Sequence, residues 1–391
     1  MKIGICFSIA IITSFTFAFA QSQTILVHNM VSGSIDSLTN IPIDPTLQEG
    51  RTAYHIGNVN SNIETLAQTP PDSNTFPSTH FTRKKATALD YNLNSFPIRT
   101  SMKIFYIENG TMKNLCSGSM VSNRHVLTAA HCYLDNNNTL LFDSLSVCPV
   151  YDNGAPNPTF GCNNVNQLYH IKNWSLNEED FVVLELEEPI GASTGWLSIG
   201  FDETEAVFTD DIFYKFSYPN TPLQSFDTFP YNGDTLYYNY GNVELLQIWI
   251  GITQANAVSG ESGSSIIHVK NNQAYTSYGV LTYSVDLNHC RFNNETFQLI
   301  KHIIQNDLVI SYSTSDFTIF PNPVASHFQI KNLPESQTVT ITIFDALGKL
   351  VYINLNYDCT LPIDISTLPN GSYYVKAKTG ETFQVSKIIK H

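Results

Sequence analysis

Leu127-Thr128-Ala129-Ala130-His131-Cys132 is the stretch on which the reading of this chain turns. An apolar strand runs through small residues into a histidine, and a cysteine follows directly. Upstream lies Cys116-Ser117-Gly118-Ser119-Met120-Val121. A bond between Cys116 and Cys132 would tie the strand to its return and fix where His131 points. One histidine is more often a core or surface residue, so two further segments carry the weight. Asn177-Glu178-Glu179-Asp180-Phe181-Val182-Val183-Leu184 sets an acid at the mouth of an apolar strand. The plain reading is a strand-end cap, and a buried acid there needs hydrogen bonds or a charged partner. Ser259-Gly260-Glu261-Ser262-Gly263-Ser264-Ser265 flanks a serine with glycines, which permits a sharp turn and close approach of a substrate. The segment lacks the Gly-Lys-Ser/Thr of a phosphate loop and the strand–turn–helix setting of a nucleophile elbow.

Read together, the three segments give the order His131, Asp180, Ser262. Serine is a weak nucleophile until a base takes its proton. His131 is the candidate base, and Asp180 would hold its tautomer and stabilise the imidazolium.

On these residues the chain resembles the trypsin-like serine proteases, with coverage of about residues 94–310. The resemblance implies an all-β chymotrypsin fold: two six-stranded antiparallel β-barrels with the site in the cleft between them. It implies a serine endopeptidase in which His131 is the base, Asp180 the orienting acid and Ser262 the nucleophile. Gly260 and Ser262 would supply the oxyanion-hole N–H groups. The branch is similar to the bacterial glutamyl endopeptidases, through Tyr151-Asp152-Asn153-Gly154-Ala155-Pro156, Gly195-Trp196-Leu197 and Phe216-Ser217-Tyr218-Pro219-Asn220. That branch often carries Asn before the nucleophile, where this chain has Glu261. Animal enzymes carry Asp there, paired with a freshly cut N-terminus. The resemblance puts Asn256 at the base of the specificity pocket and Thr282, Tyr283 and Ser284 along its far wall. Asn256 offers no carboxylate for a basic side chain, and Leu281 stands where the branch has its glutamate-reading histidine. A neutral or small polar residue before the scissile bond is therefore expected, with glutamate as the alternative.

Composition agrees with this reading. A length of 391 residues calls for two or three domains. A net charge of −14 with no local basic field argues against wrapping nucleic acid. Between about 94 and 290, short apolar runs alternate with turn signals such as Asn109-Gly110 and Asn232-Gly233. Glu295–Asp307 then reads as one helix, with Phe297, Ile300 and Ile304 on a single face. Residues 91–310 are read as the protease domain, ending in that helix.

Residues 1–20 have Lys2, an apolar core and Ala18-Phe19-Ala20, which reads as a secretory signal peptide rather than a membrane anchor. No later stretch is long and apolar enough to span a bilayer. Residues 21–90 are polar and end in Arg83-Lys84-Lys85, a basic site open to nicking, so a pro-segment is expected, with an attached N-terminal extension as the competitor. A zymogen would follow, with Glu261 meeting a new ammonium. Export permits disulfides. The local pairs are Cys116 with Cys132 and Cys148 with Cys162; Cys290 and Cys359 are left unpaired. No CxxC or HExxH spacing suggests a metal, and the chemistry calls for no cofactor.

Residues 311–391 form a further unit of alternating strands, read as a small β-sandwich. Phe320-Pro321-Asn322-Pro323, Ile343-Phe344-Asp345-Ala346-Leu347-Gly348-Lys349, Leu368-Pro369-Asn370-Gly371-Ser372-Tyr373-Tyr374 and Lys387-Ile388-Ile389-Lys390 resemble a type A sorting domain of the type IX secretion system of Bacteroidota. That resemblance implies a Gram-negative exporter, the secretion machinery as a partner, and release or attachment at the cell surface. The partners expected of the mature protein are protein or peptide substrates. The alternative is a binding protein on a catalytically silent protease fold.

Overall fold

The structure is a computed structural model that describes residues 23–57, 62–66, 83–89, 91–176, 179–209, 212–220, 231–246, 248–251, 257–270, 274–282, 287–310, 318–331, 339–345, 350–358, 361–379 and 382–391. Segment 1–20, Asn256, Tyr283, Ser284 and Cys359 lie outside the described residues.

The chain ahead of the barrels supplies β1 (Ile25–Asn29), β2 (Ile35–Leu38), β3 (Glu49–Arg51) and β4 (Lys84–Lys85). Next come β5 (Ser101–Glu108), β6 (Thr111–Met120), β7 (His125–Thr128), β8 (Leu145–Pro149), β9 (Asn163–Ile171) and β10 (Val182–Leu186). These six are hydrogen-bonded in the order β10-β7-β6-β5-β8-β9, and β9 pairs back onto β10, so the sheet closes into a barrel. Met102, Ile104, Val126, Val147, Leu168, Val182 and Leu184 share its core. Phe181 and Val183 belong instead to a second cluster, with Ile25 and Val27 of β1 and Phe297, Ile300 and Ile303 of the helix Asn294–Ile310. Burial on both faces explains why Phe181–Leu184 reads as an unbroken apolar run.

The second sheet is built from β11 (Ser198–Asp202), β12 (Ile212–Ser217), β13 (Tyr237–Asn242), β14 (Glu244–Leu246), β15 (Trp249–Gly251), β16 (Ser265–Lys270), β17 (Ala274–Leu281) and β18 (His289–Arg291). Its path runs β14-β15-β18-β17-β16-β12-β13-β4. Only Val243 separates β13 from β14, so one strand breaks, and its parts lie at one end of a strongly curled half-barrel and next to β4 at the other. The double-barrel architecture is thus present, with the first barrel closed and the second more open. The aromatic richness of the chain has a cross-strand use here. Tyr214 faces Tyr240, and Phe216 faces Tyr238, across β12 and β13; the Tyr214 and Tyr240 rings stack at 5.3 Å. Such pairs stabilise a sheet beyond simple burial.

The helix runs from Asn294 to Ile310, three residues beyond its expected end, with the Asn293 side chain accepting from the Thr296 N–H at its start. After it, a three-stranded sheet (Thr318–Phe320, His327–Lys331, Ile363–Asp364) and a four-stranded sheet (Val339–Asp345, Leu350–Tyr357, Gly371–Thr379, Thr382–Lys390) share one core. Phe328, Ile330, Ile341, Val375 and Ile388 lie within it.

The polar tract before the barrels is more ordered than its composition suggests. β1 pairs with β9, and β3 pairs with β11. Gly50 lies against Phe201 and Phe297, and the Gln298 and Asn294 side chains donate to the Asp44 carbonyl. Arg99, fully buried, donates to the carbonyls of Thr194, Asn94 and Ile56. The extension therefore contributes strands to both sheets and contacts the terminal helix.

Cys116 is bonded to Cys132 with Cα atoms 6.5 Å apart, and Cys148 is bonded to Cys162. Peptide mapping of the unreduced protein should recover the Cys116–Cys132 link, and replacing both by Ser should lower unfolding free energy by about 2–4 kcal/mol. Free thiols at both positions would refute the link.

Among the imidazoles buried in the described strands, three are shifted furthest. Burial, with Arg124 nearby, pushes His125 down to about 3. Burial pushes His170 down to about 4, and burial with the Lys215 cation pushes His289 down to about 3. Each folded value lies below the unfolded value of about 6.5. The stability these groups contribute is complete above that pH and is lost as pH falls through the window toward 4 and below. Melting temperature should therefore drop steadily between about pH 6.5 and 4; an unchanged value across that window would contradict the burial.

Candidate active site

The register of β7 and β10 brings the first two candidate residues together. Val182 lies opposite Thr128 in this antiparallel pair, so Asp180, two residues earlier, faces the turn two residues after Thr128. That turn is Ala130–Cys132. Asp180 is fully buried, and both of its oxygens are used on one residue. Oδ1 accepts the His131 backbone N–H at 2.8 Å, and Oδ2 lies 2.7 Å from His131 Nδ1. A carboxylate accepts, so Nδ1 carries the hydrogen and Nε2 keeps its lone pair. The ring itself is a quarter exposed.

The Ser262 turn is closed from within and locked from both sheets. Glu261 N–H donates to the Val258 carbonyl, and the Ser264 N–H donates to the Glu261 carbonyl. Gly260 and Gly263 have φ of 86° and 80°, the left-handed region open to glycine. A Cβ on Gly260 would strike the Tyr218 carbonyl, and one on Gly263 would strike Thr128 Oγ1 and crowd the Ala129 nitrogen. Ser262-Gly263 thus rests on the strand end that leads to His131. Ser262 is half-buried, between buried neighbours.

Ser117 makes the join between the two sheets. It sits on β6 of the first barrel. Its N–H donates to the Ser262 carbonyl at 2.9 Å, and its hydroxyl donates to the Gly260 carbonyl at 2.7 Å. The same hydroxyl accepts from the Tyr218 N–H, and the Ser117 carbonyl accepts from Thr128 Oγ1. From the other side, Gly263 N–H donates to the Leu281 carbonyl. The Ser259 carbonyl accepts the Asn220 N–H and the Glu261 carbonyl accepts the Ser264 N–H, which turns the Gly260 and Ser262 N–H groups away: among the described residues neither donates to a partner. Reading the sequence missed Ser117; its place one residue after a half-cystine was the only signal.

Glu261 is neither solvated nor waiting for a partner. It is fully buried. Lys215 Nζ lies 2.6 Å from Oε1, Arg83 Nε 3.0 Å from Oε1 and Arg83 Nη2 2.8 Å from Oε2. Ser217 Oγ donates to Oε1 and the Val258 N–H to Oε2. Burial alone would raise this carboxyl, but the Lys215 and Arg83 charges hold it well below the usual carboxylate range. Burial lowers Lys215 to about 8, against the opposing pull of Glu261. Arg83 belongs to the basic cluster expected to be exposed, yet its side chain is 10% exposed.

Of the pocket residues expected from the sequence, Thr282 is buried, with its N–H on the Asn288 carbonyl. Asn256, Tyr283 and Ser284 fall outside the described residues. His268 packs on Phe213, and His289 is buried opposite Leu281 with Nδ1 on the Ile250 carbonyl. Among the described residues no cluster of His, Cys, Asp and Glu could hold a metal ion, and no helix is long and apolar enough to cross a membrane.

Comparison with known proteins follows this division of the chain. Among curated proteins, no sequence matches it. Among solved structures, it is similar to a Glu endopeptidase bound to MPD, with 19% identity over 57% of this chain and 96% of that one, at a TM-score of 0.44. It is similar to the protease Anisep from Arthrobacter nicotinovorans, with 21% identity, 50% and 90% coverage, and a TM-score of 0.39. A thermostable serine protease, AL20, from an extremophilic microorganism gives 18%, 53% and 97%, and 0.42. Residues 318–391 match the family described as the secretion system C-terminal sorting domain, which directs a chain to type IX export and the cell surface or medium. Residues 90–298, more than half of the chain, match the family described as trypsin, and the chain belongs to that family of serine proteases.

Proposed function

We propose that residues 91–310 form an exported endopeptidase that cuts protein or peptide substrates through His131, Asp180 and Ser262. The observation that carries this is the double use of Asp180 on the His131 ring and backbone, beside a Ser262 turn braced against the same strand. His131 Nε2 takes the Ser262 proton as Oγ bonds to the scissile carbonyl carbon. The carbonyl oxygen becomes an oxyanion and is met by the Gly260 and Ser262 N–H groups. Collapse breaks the C–N bond, and His131 returns the proton to the leaving amine. Water, deprotonated by His131, then releases the acyl group from Ser262. Residues 1–20 serve as a cleaved signal peptide, 21–90 as an N-terminal extension, and 311–391 as the export unit.

A fluorophosphonate probe should label the wild-type protein and fail on Ser262→Ala. Equal labelling of both would return the chain to a binding role on a silent fold. Asp180→Asn should keep the circular dichroism spectrum and lower kcat by about 10⁴-fold. The amide oxygen can still accept the His131 N–H, but its NH₂ group then faces Nδ1 and imposes the wrong tautomer. A loss below tenfold, with the fold intact, would refute the role of Asp180.

The substrate preference follows from Asn256, which offers an amide where a basic side chain would need a carboxylate. His289 adds no cation near neutral pH, since burial holds it at about 3. A peptide-library digest should show cuts after neutral or small polar residues. Dominant cuts after Lys or Arg would overturn the place given to Asn256, and dominant cuts after Glu would require a cationic group elsewhere.

A further inference from the structure

Glu261 immediately precedes the proposed nucleophile, and its carboxylate closes the turn through the Val258 N–H. Two cations hold that carboxylate in place. Lys215 is on β12 of the second sheet, but Arg83 comes from the chain ahead of the first barrel, 178 residues away in sequence. Its main chain is pinned beside the turn, because Lys84 and Lys85 pair with Tyr238 and Tyr237, and the Ala86 N–H donates to the Leu236 carbonyl. The Tyr231 ring lies 5.6 Å from the guanidinium carbon.

We infer that Arg83 is a positioning residue for the nucleophile turn: within the uncut chain its guanidinium, together with Lys215, supplies the charge that orients Glu261. The division of labour between the oxygens supports this. Among the described residues Oε1 receives Lys215, Ser217 and Arg83 Nε, whereas Oε2 receives only Arg83 Nη2 and the Val258 N–H. Without Arg83, the oxygen that closes the turn keeps one donor. The planar fork reaches both oxygens at once, which a single ammonium cannot do. The carboxylate is already filled by side chains, so the turn needs no newly cut N-terminus. Any maturation cut must leave Arg83 joined to Lys84. The basic cluster at 83–85 is then an internal brace and not a processing site.

This inference rests on the proposed role of Ser262, and its test separates the two. In the full chain, Arg83→Met should lower kcat by about 10–100-fold, below the loss for removing an oxyanion donor outright. KM should stay within about threefold, since Arg83 touches no substrate. Affinity for a peptide boronic acid, which mimics the tetrahedral species, should fall in step with kcat. Arg83→Lys should recover only part of the loss, and guanidinium ions added to Arg83→Ala should recover more. In a Glu261→Gln background, Arg83→Met should add little, and this pair also serves if Arg83→Met alone fails to fold. Wild-type kcat in Arg83→Met, additive losses in the double variant, or an active species that starts at Lys84 or later and has shed Arg83 would overturn the inference. If Ser262→Ala retains activity, the reading of the nucleophile fails, whatever Arg83 does.

Discussion

Ser117 ties a turn of one sheet to a strand of the other, and the site depends on that tie. Its N–H and hydroxyl occupy the Ser262 and Gly260 carbonyls, and its own carbonyl is held by Thr128, at the start of the approach to His131. Each sheet has its own apolar core, but neither carries the whole constellation. A cleft between two β-sheets is a poor place for precise geometry unless polar groups lock the register across it. The bonds at Ser117 are short and buried. They pin the backbone of the turn, while the Ser259 and Glu261 carbonyls, held by the Asn220 and Ser264 N–H groups, turn the Gly260 and Ser262 amides the other way.

The second constraint is charge. Two carboxylates are buried within the same region, and each is satisfied in full. Asp180 is met by two N–H groups of one histidine, an arrangement that fixes the ring without a formal cation. Glu261 is met by two cations, a hydroxyl and an amide. A buried charge left unpaired would cost several kcal/mol. The surrounding chain therefore has to deliver donors from distant segments, and this is one reason the region before the first barrel is integral to the fold. Its strands extend both sheets, and its arginines reach inward: Arg83 to Glu261, while Arg99 of the barrel entrance collects carbonyls from the same tract.

The secretion domain stands apart in its physics. Its strands alternate buried and exposed residues, as in His327–Lys331, where Phe328 and Ile330 face inward between exposed neighbours, and it is built of two small sheets around one core. That periodicity is local and easy to read. The chain thus joins a catalytic unit whose function depends on long-range polar contacts to an export unit whose fold follows from simple alternation.

Much of this was legible without coordinates. The apolar runs, the Asn-Gly turns, the terminal helix, the two close cysteine pairs and the His131, Asp180 and Ser262 segments are signals carried by near neighbours. Spacing along the chain is enough to express them. The partners of Glu261 were not legible. An acid in a Gly-Ser loop looks solvated, and Arg83 in a polar tract looks exposed, because each is judged by the residues beside it. The same holds for Ser117, which reads as one small residue among several. What separates these positions from ordinary surface residues is burial, and burial was set when two sheets and an N-terminal segment met. Hydrogen bonds between residues as far as 178 positions apart, as Arg83 and Glu261 are, or 254, as Asp44 and Gln298 are, leave no local pattern; they arise from register and packing, which only the folded chain brings about.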